Sequence, residues 1–150
     1  AIILERNVQH DLKVISDIYT KIDSLTVDNT DENGLIVLAY RLHSLYSAFE
    51  NIFQQIANTF ENQLHDKSGW HSQLLQRMRL NLMPIRPAVI DDTTYEKLDE
   101  LRRFRHLFRS AYGINLDAQR LRLVLNKALE LRDIYQQQIG MFLNFLKTLQ

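Results

Sequence analysis

The chain has 150 residues, 45% of them hydrophobic, with 18 basic and 18 acidic residues and therefore a formal net charge of zero. This size and apolar content suit one domain over residues 1–150 with a buried core, and neutrality argues against a nonspecific nucleic-acid-binding protein. The absence of cysteine excludes a disulfide framework and a thiolate nucleophile, and it fits a reducing, cytoplasmic location.

Targeting segments and metal motifs are not expected. No apolar run is long enough to span a membrane, and the sequence becomes charged at Glu5, so we expect neither a spanning helix nor a signal peptide. The histidines outside the basic region have no HExxH or paired i,i+4 spacing, so we expect no metal site and no cofactor. These histidines are His10, His43, His65 and His71.

The charge is unevenly distributed along the chain. Residues 1–70 hold five lysines and arginines against ten acidic residues, whereas residues 71–150 hold thirteen against eight. Such asymmetry can give a neutral molecule one face that attracts anions. The alternative is that the folded protein pairs the two halves with each other.

Apolar residues recur at helical spacing almost throughout, and only four glycines and two prolines occur, so the pattern predicts an all-α protein. The first predicted helix has an apolar stripe from Val8 to Leu25 and is followed by a polar loop over 28–34. The second runs from Leu35 to Leu64 and is expected to form the centre of the fold.

A shorter predicted helix follows, with apolar residues from Leu74 to Leu82, and it stops at the prolines of a connector over 84–92. The sequence Thr93-Thr94-Tyr95-Glu96 has the form of a capping box, which predicts a helix start at Thr93. Gly113 is the expected C-terminal residue of that helix. A last helix is predicted from an N-cap at Asp117 to Leu149, which completes an up-and-down bundle of four main helices plus one short helix.

The helix that begins near Thr93 ends in a basic segment, which contains four arginines between Leu101 and Asp117. Residues three, four and seven apart share a helix face, and His106 lies one turn after Arg102. Like charges at this spacing repel by roughly 0.2–0.5 kcal/mol, so either an anionic ligand or the nearby Asp99 and Glu100 should relieve the repulsion. One stripe is formed by Arg102, Arg105, Arg109 and Tyr112.

This segment resembles the HepT-like ribonuclease-toxin branch of the HEPN superfamily, whose signature is an arginine, four residues, a histidine, one residue and a tyrosine. The matching positions are Arg105, Ser110 in place of the signature histidine, and Tyr112. The resemblance extends to the neighbouring residues Phe104-Arg105-His106, Phe108-Arg109, Ala111-Tyr112-Gly113 and Asn115-Leu116-Asp117.

The resemblance implies a homodimer whose two signature helices face each other across a cleft and cut RNA without a metal ion. Such cleavage uses the RNA 2′-hydroxyl as nucleophile, which needs a base and cations at the phosphate. Arg105 would then bind the scissile phosphate through a bidentate fork, with Arg102 and Arg109 as supporting cations. Tyr112 would hydrogen-bond the substrate or orient the site. The resemblance also implies a minimal nucleotidyltransferase antitoxin, which can bind the toxin and adenylylate the signature tyrosine, here Tyr112.

Serine at position 110 cannot act as a general base near neutral pH, so another group must do so if the chain is a nuclease. His106 is one candidate, because it shares a face with Arg102 and Ser110. Alternatively, His106 orients Arg105 or bonds a nearby carboxylate. We therefore keep three hypotheses: a ribonuclease toxin, a degenerate module that binds RNA, nucleotide or the nucleotidyltransferase, and a helical adaptor with an incidental basic helix.

Several other residues have both a functional and a structural interpretation. Trp70 could stack a nucleic-acid base, but a lone tryptophan more often closes the end of a bundle. Arg77, Arg79 and Arg86 could extend a basic rim, although a solvated face is the simpler expectation.

Overall fold

The structure, a computed structural model, describes residues 1–25, 31–61, 69–110 and 116–150. Within these ranges there is no β-strand, and none of the helices is long and apolar enough to cross a membrane. The predicted all-α class is confirmed. The helices, in chain order, are α1 (Ile2–Asp23), α2 (Glu32–Phe60), α3 (Trp70–Met78), α4 (Asp92–Ser110), α5 (Ala118–Arg132) and α6 (Tyr135–Thr148).

Helix α2 is the central element of the bundle, as its long apolar pattern predicts. It packs along α1 and also contacts α3, α4 and α5. Its inward residues Phe49, Ile52, Phe53 and Ile56 are fully buried, and each such burial contributes roughly 1.5–3 kcal/mol. Buried apolar residues from all six helices join one core cluster around it. Leu64, the predicted end of this helix, lies outside the described residues.

The connector between α3 and α4 is held by a buried arginine. Arg86 has no exposed side-chain surface and forms two hydrogen bonds to the Glu61 carboxylate, at 2.8 and 2.9 Å. It also donates to the carbonyls of Leu80, Pro87 and Arg77. The prediction of a basic rim or a solvated face is therefore wrong at Arg86, because its buried guanidinium bonds a carboxylate and three backbone carbonyls inside the protein.

Helix α4 begins earlier than the capping-box pattern predicts. The Asp91 side chain accepts a 2.8 Å hydrogen bond from the Thr94 amide, and the Asp91 carbonyl accepts from the Tyr95 amide. The assignment of Thr93 as the N-cap is therefore wrong. Glu96 does not complete the box, because its carboxylate bonds Lys127 of α5 at 3.0 Å.

The predicted last helix is two helices, α5 and α6, so the expected count of four main helices plus one is wrong for the described residues. The Asp133 and Ile134 amides bond the carbonyls three residues before them, which closes α5. Tyr135 then stacks on Tyr19 of α1 with ring centroids 5.7 Å apart, and it meets Phe49 of α2 edge-on at 5.3 Å. Because the helix is interrupted between α5 and α6, the chain can turn and Tyr135 can pack between α1 and α2. The predicted N-cap of α5 is confirmed, since Asp117 accepts from the Gln119 amide.

Candidate functional site

Helix α4 carries the arginines, and it lies antiparallel to α2. His43 of α2 contacts Phe108 of α4 with ring centroids 5.5 Å apart, and Ser47, one turn later on α2, bonds Arg105, one turn earlier on α4. The apolar side of α4 includes the buried Leu101. Burial of that side fixes the rotation of α4 and places Arg105 at its contact with α2.

Arg105, the signature arginine, is partly buried at this contact. Its Nε donates a 2.8 Å hydrogen bond to the Ser47 hydroxyl, which itself donates to the His43 carbonyl at 3.1 Å. The hydroxyl is neutral, so this bond orients the guanidinium without neutralising its charge. An oriented arginine fork is suited to a planar or tetrahedral anion such as a phosphate.

The other arginines of this turn bond carboxylates of the same helix. Arg102 Nε lies 2.8 Å from one oxygen of Asp99, and Arg103 lies 2.8 Å from the other oxygen and 3.5 Å from Glu100. Asp99 therefore relieves the repulsion within the stripe at Arg102, as expected, whereas Glu100 bonds Arg103, which lies outside the stripe. Arg102 is less available than Arg105 as a supporting cation, because Asp99 shares its charge.

Tyr46 of α2 lies beneath these charges and is 1% exposed. Burial raises the pKa of its hydroxyl well above 10.0, and the Glu50 carboxylate raises this pKa further, while Arg102 and Arg105 lower it. The phenol therefore stays protonated. Within the described part of the chain its hydroxyl has no hydrogen-bond partner.

A second polar pair lies beside Tyr46 and was not among the predicted site residues. The Glu50 side chain is 7% exposed, and one of its oxygens lies 2.7 Å from Nδ1 of His71, the second residue of α3. The signal was present in the sequence, because Glu50 follows Tyr46 by four residues and so lies on the apolar face of α2. We refer to Tyr46, Glu50, His71, Asp99 and Arg102 as the junction cluster.

The remaining predicted site residues are described only in part. His106 lies on the exposed side of α4, and Arg109 and Ser110 belong to its last turn, where the structure describes the helix but not these two side chains. Tyr112 lies outside the described residues, as do Gly113 and His65. The structure therefore brings together Arg102 and Arg105 and leaves the other assignments as predictions.

Trp70 is half-buried and packs against the core, as a tryptophan that closes a bundle does. Its ring also stacks on the His71 imidazole with centroids 3.7 Å apart. Among the residues that the structure describes, no group of three or more histidine and carboxylate side chains is placed to hold a metal ion.

The fold and the site together define a class of protein: an α-helical bundle in which a basic helix carries an oriented arginine over a buried polar cluster. The family model described as "HepT-like protein" matches residues 37–146, which extends from α2 into α6. The chain therefore belongs to the HepT-like family of the HEPN superfamily, and the resemblance seen in the basic segment is confirmed. No curated protein and no solved structure matches the chain.

Proposed function

We propose that this chain, as a single domain over residues 1–150, is the toxin component of a toxin and antitoxin pair and acts as a metal-independent endoribonuclease. The observation that carries the proposal is the position of Arg105, which is the signature arginine of the family and is oriented by Ser47 without loss of its charge. A fixed cation aimed at developing phosphate charge is the main requirement of this chemistry.

In this proposal Arg105 binds the scissile phosphate, and Arg102 and Arg109 add positive charge around it. The toxin is a cytoplasmic homodimer in which the α4 helices of two copies face each other and its substrate is cellular RNA. The partner is a minimal nucleotidyltransferase that neutralises the toxin by binding it or by adenylylating Tyr112. An added nucleotide would place an anion beside the arginines and block the phosphate site.

The test is cleavage of total cellular RNA by the purified protein in EDTA, with Arg105→Ala alongside. We expect cleavage by the wild-type protein and a loss on the order of 10²–10³-fold in the variant, because an oriented group that stabilises transition-state charge contributes that much. Arg6→Ala is the matched control, since Arg6 is exposed on α1, which packs along α2 away from the arginine stripe. Absence of cleavage by the wild-type protein, or equal cleavage by both arginine variants, would refute the proposal.

The second candidate function is a catalytically degenerate module that binds RNA, nucleotide or the nucleotidyltransferase without cleavage. Serine at position 110, where the family signature has histidine, favours it. The two candidates differ in one experiment, in which Ser110→His restores the signature. A ribonuclease should cleave RNA both as the wild-type protein and in this variant, whereas a module that has also lost its substrate geometry should bind RNA in a salt-sensitive way and stay inactive in both forms.

A further inference from the structure

We propose that His71 is the general base of this site and that Glu50 is the residue that positions it. The inference rests on the proposed ribonuclease function and assigns the role that Ser110 cannot fill. It concerns two residues outside the family signature, contributed by α2 and α3.

The pair has the geometry of an activated imidazole. A carboxylate at 2.7 Å from Nδ1 holds the proton on that nitrogen, fixes the ring orientation and leaves Nε2 as the basic nitrogen. Glu50 is almost fully buried, whereas the His71 side chain is 30% exposed. The imidazole is therefore the member of the pair that a substrate can reach. The Trp70 ring stacked on it restricts its movement further.

The helix arrangement places this pair at the level of the arginines. Glu50 follows Ser47 by three residues on α2, so the two lie one helical turn apart, and Ser47 is the partner of Arg105. The Met78 carbonyl at the end of α3 bonds the Val89 and Ile90 amides, just before α4 begins. The end of α3 thus meets the start of α4.

The two helices also pack against each other. His71 of the first turn of α3 bonds Glu50, which lies one turn beyond Ser47 on α2 and is therefore level with the α4 turn that precedes Arg105. The charged groups around Tyr46 lie at the same height along the bundle. The electrostatic influence of Glu50, Asp99, Arg102 and Arg105 is felt at the same Tyr46 hydroxyl. His71 thus contacts Glu50 of α2 at the level of the Asp99 and Arg102 turn of α4.

The pair differs from the buried pair of Glu61 and Arg86, because its second member is a partly exposed imidazole and not a fully buried guanidinium. Burial of a carboxylate has a desolvation cost, and an apolar side chain at position 50 would pack against α3 without that cost. The cost is explained if the carboxylate serves to orient a reactive imidazole.

The proposed step is an internal transesterification. The proton of the RNA 2′-hydroxyl passes to Nε2 of His71 while the bond from O2′ to phosphorus forms and the bond from phosphorus to O5′ breaks. Arg105 stabilises the charge on the phosphoryl oxygens. The leaving 5′-oxygen takes a proton from water, and the imidazolium returns its proton to the resulting hydroxide. The products are a 2′,3′-cyclic phosphate and a 5′-hydroxyl.

The experiment compares single-turnover RNA cleavage by the wild-type protein and by His71→Asn. Asparagine keeps an N–H that can donate to Glu50 but has no basic nitrogen. We expect a loss of about 10²–10⁴-fold in the rate of cleavage with RNA affinity retained, and loss of the fall in rate that wild type shows toward acid pH. His10→Asn, on the exposed side of α1, is the matched control and should cleave like wild type.

Two further variants keep the test decisive if His71→Asn folds poorly. His71→Ala should regain cleavage when free imidazole is added, which a structural role does not predict. Glu50→Gln, which still accepts from Nδ1, should cleave more slowly than wild type and respond differently to pH. Undiminished, Arg105-dependent cleavage by folded His71→Asn or His71→Ala overturns this inference and leaves the ribonuclease standing. Absence of cleavage by the wild-type protein overturns both.

Discussion

The charged residues of this protein differ greatly in how much they contribute to the stability of the fold. Arg86 and Glu61 are 0% and 8% exposed, and Arg86 also satisfies three backbone carbonyls. Arg132 and Asp23 form an equally short bond, 2.7 Å, but are 37% and 57% exposed. Distance alone would rank these ion pairs as equals, whereas burial makes only the first one structurally essential.

Replacement of Arg86 by methionine, which keeps an apolar stem, should lower the free energy of unfolding by about 3–5 kcal/mol, because it leaves a buried carboxylate without its partner. Arg132→Met is the matched control and should lose about 1 kcal/mol or less from its exposed pair. Urea unfolding followed by circular dichroism measures both. Similar losses in the two variants would contradict this ranking.

At the scale of the element, the start of α4 determines where the arginines lie, and Asp91 defines that start. Its carboxylate accepts from the Thr94 amide, and its backbone amide donates to the Gln138 side chain of α6 at 2.7 Å. The hydrogen bond from Thr94 is the main cause of the lowered pKa of Asp91, below its ordinary 3.8. One side chain therefore caps the functional helix and connects it to the last helix.

Asp91→Ala should destabilise the protein by about 0.5–2 kcal/mol, the usual effect of an N-cap loss. Because the folded-state pKa of Asp91 is lowered, its contribution is fully present above the ordinary value of 3.8 and is lost as pH falls through the lower folded value. The difference between wild type and variant should thus be large at neutral pH and shrink at the acid end. Denaturant unfolding across pH measures it.

The neighbouring Asp92 is the control for the capping assignment. Its side chain is 89% exposed and lies 3.7 Å from the Arg79 guanidinium. Asp92→Ala should therefore cost a few tenths of a kcal/mol, through the helix dipole alone. An Asp92 effect as large as that of Asp91 would show that the helix start has been misassigned.

The sequence predicted well those elements whose boundaries depend on nearby residues. The errors lie where contacts between residues far apart in the sequence determine a helix boundary. The apolar spacing of α2 and the N-cap at Asp117 could be predicted because both depend on neighbours within a turn or two. The break before Tyr135 could not, because no glycine or proline marks it and its cause is the Tyr19 and Phe49 rings of other helices.

The two parts of the candidate site differ in the same way in how far they could be predicted from the sequence. The arginine stripe follows from helix periodicity, so Arg102 and Arg105 were predicted to lie together. The contact between Glu50 and His71 joins residues 21 positions apart across the loop between α2 and α3. Periodicity places Glu50 on the apolar face of α2, but only the packing of α3 supplies its partner.

At the scale of the whole molecule, the acidic first half and the basic second half are partly paired in the fold. Asp23 and Glu61 of the first half bond Arg132 and Arg86 of the second half, respectively. The expectation that the folded protein pairs its two halves is therefore supported. Attraction of an anion should then depend on local geometry at α4 as well as on net charge, because part of the charge asymmetry is neutralised within the molecule.

Because the charges are partly paired within the fold, we expect only a small number of phosphate contacts to determine how RNA affinity changes with salt concentration. Binding of 2′-O-methyl RNA, which lacks the attacking hydroxyl and so cannot be cleaved, isolates the binding step. Each phosphate contact to a single strand contributes about 0.7 to the slope of log affinity against log salt concentration. Arg105→Ala should therefore reduce that slope by about 0.7, whereas Arg6→Ala on α1 should leave it unchanged.

The contribution of Arg103 makes the same experiment more specific. Arg103 bonds Asp99 and Glu100 and is 58% exposed, so its charge is already shared with two carboxylates. Arg103→Ala should change the slope much less than Arg105→Ala, although both are arginines of one helix. Equal slopes for the two variants would mean that the RNA responds to the general charge of α4. A selective effect of Arg105 would mean that the Ser47 hydrogen bond orients one cation for one phosphate, as the proposed ribonuclease site requires.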